Sequence, residues 1–329
     1  MKRWQIIFLL FLIAATAMIL TKNAPYHTNE GRIFGTSYRI TYKHKDNIEK
    51  EIKETLQQVD NSLSPFNKNS TITKINNNES DEPDDMFLYI FGMAQEVSEK
   101  TGGAFDITVA PLVNAWGFGF KHGITPDSLT IDSLRNYTGY RKIAIVDGKV
   151  KKQHPETMLN CSAIAKGYGC DAVARTLQSK GIEDYMIEIG GEVVLKGKNK
   201  KSAPWVIGIN KPSEDGSNEL QTVLQLTDCS MATSGNYRNF RFIDGKKVSH
   251  TIDPLTGYPA NHSLLSATVI ADECAYADAL ATAFMVMGKD RAMEYCTANP
   301  DIEAYFIYAD DNGSMKTVST KGFNRYIRK

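Results

Sequence analysis

Four stretches of this chain place small, polar and charged residues where a folded core would use bulk. The first is Thr101-Gly102-Gly103-Ala104-Phe105-Asp106, followed beyond Pro111 by Asn114-Ala115-Trp116-Gly117-Phe118-Gly119. Paired glycines let backbone approach a ligand closely, Asp106 accepts hydrogen bonds, and an aromatic-glycine run can wall a pocket. A helix C-cap followed by a second helix accounts for Gly102 but not for that run. The second stretch is Asn160-Cys161-Ser162-Ala163-Ile164-Ala165-Lys166-Gly167-Tyr168. It reads as a polar helix start, where free amides and the helix dipole favour an anion such as phosphate. It lacks the Gly-Lys-Ser/Thr order of a P-loop, and an ordinary capped helix reads the same way. The third is Ser249-His250-Thr251-Ile252-Asp253-Pro254-Leu255-Thr256-Gly257-Tyr258-Pro259. Turn chemistry explains its tail, whereas His250 adds the side chain best suited to take a proton near neutral pH. The fourth is Ala277-Asp278-Ala279-Leu280-Ala281-Thr282-Ala283. On a helix, Asp278 and Thr282 share one face, and a carboxylate with a hydroxyl suits a hard cation such as Mg²⁺. A capping Asp and a Thr bonded back to its own helix would leave the same letters.

The elements around these stretches read as follows. Residues 34–42 alternate as a strand, and Ile48, Ile52, Leu56 and Val59 recur at helical spacing until Ser64-Pro65-Phe66-Asn67 ends the helix. Pro83-Asp84-Asp85 starts a second helix that ends at Gly102-Gly103. Residues 142–152 form a hairpin about Asp147-Gly148. Ser162 is expected to cap a helix running through Leu177 and stopped by Gly181, followed by a buried strand over 185–189. Strands over 205–210, 222–226, 240–248 (turning at Asp244-Gly245) and 265–271 precede a helix over 276–287 and a last hairpin over 302–318. Hairpins interleaved with helices predict an α+β fold with mixed or antiparallel sheets, not a doubly wound parallel sheet.

Thirty-eight Lys and Arg against 38 Asp and Glu leave no net charge, which removes the main basis for binding nucleic acid. Met1-Lys2-Arg3 followed by an almost wholly apolar block to Leu20 predicts an export signal or an N-terminal membrane anchor over residues 1–23. The remainder, 24–329, is expected to form one domain, though its length would also allow two modest ones, and to lie at the periplasmic face of the cytoplasmic membrane, anchored or released. The five cysteines are odd in number and lack zinc-ligand spacing, so they read as buried thiols.

Five segments in order carry a resemblance: Ala104-Phe105-Asp106 with Asn114-x-Trp116-Gly117-Phe118-Gly119; Ala165-Lys166-Gly167-Tyr168; Thr233-Ser234-Gly235-Asn236-Tyr237; His250-x-Ile252-Asp253-Pro254-x-Thr256-Gly257; and Ala277-Asp278-Ala279-Leu280-Ala281-Thr282. Any one is weak; together, from Phe34-Gly35-Thr36 to Gly288, they closely resemble the FAD:protein FMN transferases of the ApbE family. The resemblance implies an ApbE-like flavin transferase fold and Mg²⁺-dependent transfer of FMN from FAD to a Thr or Ser of an acceptor protein, of the respiratory redox-subunit type, with AMP released. It maps magnesium ligands to Asp278, Thr282 and the carbonyl of Ala163. Flavin contacts fall at Phe34, Phe66, Ala104, Phe105, Asp106, Asn160, Lys166, His250, Thr251 and Ile252, and His250 is the base for the acceptor hydroxyl. Four positions depart from the family's common residues: Phe34 for Met, Phe66 for Tyr, Asn160 for Asp, and Ala281 where some members carry a further Asp. A Mg²⁺-dependent FAD pyrophosphatase would use the same residues, with water as the nucleophile. A non-catalytic FAD-binding protein would need neither the base nor the metal pair.

Overall fold

A computed structural model of the chain describes residues 3–22, 24–120, 125–213, 219–236, 240–243 and 246–328. Its centre is an eight-stranded sheet whose spatial order is also its chain order. The strands are Tyr26–Ile33, Thr36–Lys43, Tyr185–Ile189, Glu192–Lys196, Cys229–Gly235, Leu264–Ala271, Glu303–Ala309 and Met315–Ser319, each antiparallel to its neighbours. The sheet is amphipathic with period two. Val194, Ala267, Val269 and Phe306 face the main helices, while Val193, Leu195, Ile270 and Ile307 face a second core. That second core is closed by the ribbon Trp205–Asn210/Leu220–Leu226 and the C-terminal turn Gly322–Tyr326. The fold is α+β, as the interleaved hairpins predict.

Two helices inserted into the meander position the candidate site. Ala165–Ser179 and Cys274–Met287 lie side by side on the sheet and cap one another. Asp171, on the first, accepts the amides of Cys274 and Ala275 at 3.0 and 2.8 Å, and Asp278, on the second, accepts the amide of Gly167 at 3.1 Å. Free amides at a helix start need acceptors, and here each helix supplies the other's. Contact this close requires Gly167. An added Cβ there would lie 2.4 Å from the Cys274 carbonyl oxygen and 2.7 Å from the Ala275 Cα.

Several boundaries differ from expectation. The strand expected over 34–42 is the second half of a hairpin: Tyr26–Ile33 pairs with Thr36–Lys43, and Phe34 and Gly35 form its turn with φ of 52° and 74°. Two consecutive left-handed residues are the signature of a tight hairpin turn, here with Phe in a position that usually takes Asn or Asp. Ser162 does not cap the helix, which begins three residues later with no side-chain cap of its own. Gly102 and Gly103 are needed for their positive φ at the end of helix Asp85–Lys100, and neither borders the main cleft. The Asp244-Gly245 turn lies outside the described residues, although its strands Phe240–Ile243 and Lys246–Ser249 pair as expected. Helix Arg3–Lys22 exposes Trp4, Phe8 and Phe11, and its side chains beyond Leu12 are not described. Among the described residues no helix is long and apolar enough to cross a membrane.

Candidate active site

A cleft of about 1070 Å³ opens at the end of the sheet where both capped helices begin, and every flavin, metal and base position mapped by the family resemblance borders it. Phe34 reaches it from the hairpin tip and packs over Gly169, where an added Cβ would lie 2.7 Å from the ring. Phe66 lies at the mouth, 68% exposed, with its ring edge-on to Phe120. Ala104, Phe105 and Asp106 line one wall. Asn160 enters beside them, its Oδ1 accepting the Ser162 amide at 2.9 Å. His250, Thr251 and Ile252 border it as well. The His250 ring meets Phe118 edge-on at 6.4 Å, Thr251 Oγ1 donates to Asn236 Oδ1 at 2.7 Å, and Ile252 anchors the segment in a small core with Leu112, Trp116 and Ile131.

The aromatic-glycine run divides between two roles. Phe118 borders the cleft, whereas Trp116 donates from Nε1 to the Gly257 carbonyl at 2.9 Å and so ties this lobe to the Asp253 turn. Asp253 organises that turn by accepting the Leu255 amide at 2.9 Å and the Thr256 hydroxyl at 3.1 Å. Asp106 is also structural. Its Oδ1 accepts the amide and hydroxyl of Thr108, both at 2.7 Å, and its Oδ2 accepts the Tyr140 amide at 2.7 Å. Burial nonetheless pushes its pKa up to about 6, because desolvation of the charged form outweighs those three donors.

The floor of the cleft holds most of the charge. Asp278 and Glu192, each 2% exposed, flank Lys166, whose Nζ lies 2.9 Å from Glu192 Oε1 and 3.5 Å from Asp278 Oδ1. Burial works against the Lys166 ammonium, but the two carboxylates more than offset it and raise its pKa. Glu192 is pushed up to about 7, chiefly by burial, with Lys166 pulling the other way. Thr282 lies one turn beyond Asp278 on the same helix, and its hydroxyl is 3.3 Å from that of Ser234. Thr233 and Ser234 also border the cleft.

Glu192 was not among the residues nominated from the sequence. Its signal is an acidic residue directly after Gly190-Gly191, opening an otherwise apolar strand. A helix-capping Asp at 278 is also present, but for the neighbouring helix rather than its own. That capping occupies Oδ2 and leaves Oδ1 toward Lys166 and the cleft.

The oxygen donors fit a magnesium ion: a carboxylate oxygen held only loosely by an ammonium and a hydroxyl one turn along, with Ala163 lining the same cleft. Among the described residues no three His, Cys, Asp or Glu side chains cluster as a metal cage. Magnesium does not require one, since it usually keeps few protein ligands and completes its shell with water and substrate phosphates.

The sheet, the capped helices and the cleft belong to a chain of one protein class. This is the ApbE family, whose model matches residues 34–306. Among its relatives, the FAD:protein FMN transferase of Vibrio cholerae serotype O1 is 37% identical over 334 residues, covering 97% of this chain and 99% of the relative. That of Escherichia coli K12 is 32% identical over 312 residues, covering 91% and 88%. The solved structure of the flavin transferase ApbE from Vibrio cholerae aligns with a TM-score of 0.83 at 37% identity, over 92% of this chain and 99% of that one. The apo flavinyl transferase ApbE from Pseudomonas stutzeri aligns with a TM-score of 0.82 at 30% identity, over 92% and 96%.

Proposed function

We propose that this protein transfers the FMN part of FAD to a Thr or Ser hydroxyl of an acceptor protein, releasing AMP, with Mg²⁺ as cofactor. The observation that carries this reading is the gathering of the flavin, metal and base positions from six separated segments around one cleft, in a chain of the ApbE family. The wall from Phe34 through Phe105 to Phe118 is apolar and aromatic enough for an isoalloxazine ring, and the Lys166–Asp278 floor meets the pyrophosphate. His250 accepts the proton of the acceptor hydroxyl as that oxygen attacks the phosphorus on the FMN side. The new phosphoester bond forms as the P–O bond to the AMP phosphate breaks, and AMP leaves with the electron pair. Asp278, Thr282 and the Ala163 carbonyl would hold Mg²⁺, which when bound neutralises charge on the pyrophosphate. Lys166 adds a fixed positive charge to the same region.

The acceptor is of the respiratory redox-subunit type, and the catalytic part works at the periplasmic face of the membrane after export through residues 1–23. The basic start and apolar block support the export and membrane placement, as does the exposure of Trp4, Phe8 and Phe11 on their helix. The function is tested by calorimetry and product analysis. FAD is expected to bind better than riboflavin, and AMP to be released only with Mg²⁺ and acceptor present. Equal affinity for FAD and riboflavin would mean that the floor makes no pyrophosphate contact, and the proposal would fall.

A further inference from the structure

The Glu192 carboxylate is asymmetric. Oε1 holds Lys166 at 2.9 Å, while Oε2 is buried with no hydrogen-bond partner among the described residues. A buried carboxylate oxygen without a donor is costly, and folds retain such groups where a function needs them. Glu192 is held there by the sheet, at the start of strand Glu192–Lys196 behind the Gly190-Gly191 turn, with its Oε2 3.4 Å from the point where a Gly190 Cβ would be. Lys166 is thus shared unequally: close to Glu192, and at the limit of bonding distance from Asp278 Oδ1. The other Asp278 oxygen is taken by the Gly167 amide, so Oδ1 is the one a cation would use. An ammonium and a divalent cation compete for it, because two cations on one oxygen repel each other.

We infer that Glu192 is a positioning residue that keeps the Lys166 ammonium from closing onto Asp278 and so leaves Asp278 Oδ1 open to a divalent cation. This rests on the reading of Asp278 as a magnesium ligand. Without the Glu192 charge, Lys166 has one carboxylate left to pair with, and it settles on the oxygen the metal needs. With Glu192 in place, the ammonium has a partner to retain when the metal arrives, and stays beside the pyrophosphate site.

The test is a double-mutant cycle of Mg²⁺ binding, read by calorimetry on the full protein without FAD. Glu192→Gln conserves shape, and thermal melts without metal confirm folding of each variant. In the presence of Lys166, Glu192→Gln is expected to weaken Mg²⁺ binding at least tenfold more than the same change does alongside Lys166→Met. Lys166→Met alone is expected to tighten binding, because it removes the competitor. Equal weakening in both backgrounds would overturn the inference, since Glu192 would then act through its own charge or as a direct ligand. Unchanged Mg²⁺ binding on Asp278→Asn would instead remove the metal reading beneath it, and the two failures are separately visible.

Discussion

Asp278 has two roles that substitution can separate. Asp278→Ala removes both the acceptor for the Gly167 amide and the charge facing Lys166. Asp278→Asn retains an acceptor oxygen for Gly167 and loses only the charge. Loss of a helix cap costs about 0.5–2 kcal/mol, so the Ala variant is expected to be less stable than the Asn variant by about 1 kcal/mol. Magnesium response then isolates the metal role. A ligand at a hundred times its Kd stabilises the native state by about 2.7 kcal/mol, which for a chain of this size raises Tm by roughly 5 °C. The unmodified protein should show that rise in melts with and without Mg²⁺, and neither variant should. Both variants should fail to transfer FMN, although only one has lost its cap. If Asp278→Asn keeps the Mg²⁺-dependent rise, or transfers normally at low Mg²⁺, then Asp278 is a helix cap only.

Other outcomes follow from the same geometry. His250→Ala should bind FAD and Mg²⁺ while single-turnover transfer slows by about 10²–10⁴, and the unmodified rate should fall at low pH as the imidazole becomes protonated; equal rates at saturating FAD would remove His250 from the mechanism. Gly167→Ala forces the two capped helices apart and should cost about 1–3 kcal/mol in urea unfolding, with a near-neutral result showing that the contact is not tight. For Asp106, whose pKa in the fold is raised to about 6 from 3.8, the native state binds the proton more tightly than the unfolded chain. Its contribution is therefore full below pH 3.8 and is lost as pH rises to about 6, by about 3 kcal/mol at most. Asp106→Asn should remove that dependence, so the unmodified protein loses stability relative to the variant as pH rises through this window; a pH-independent difference would contradict the raised pKa.

Much of the site was legible because its residues break the pattern of a core. A carboxylate on an alanine-rich helix, a histidine at a strand end and a lysine in a small-residue helix start all stand out against apolar periodicity. Long periodic elements such as Asp85–Lys100 and Cys274–Met287 were legible for the same reason. Tyr26–Ile33 was not, because residues 27–32 carry no apolar alternation and only pairing with Thr36–Lys43 makes the segment a strand. The reciprocal caps at Asp171 and Asp278 link residues more than a hundred positions apart, which no local signal can show. Glu192 escaped notice for a related reason: one acidic residue at a strand start is unremarkable until Lys166 and Asp278 are brought beside it.

The central claim is tested most directly by the mass of the acceptor. The protein is incubated with FAD, Mg²⁺ and an acceptor domain carrying a single exposed Thr, and the acceptor is analysed by intact mass spectrometry beside a control in which that Thr is Ala. The Thr acceptor is expected to gain one FMN phosphoester, with one AMP released per acceptor modified, and the control to gain nothing. An unmodified Thr acceptor, with free FMN and AMP accumulating in solution, would contradict it and show that water is the nucleophile this cleft serves.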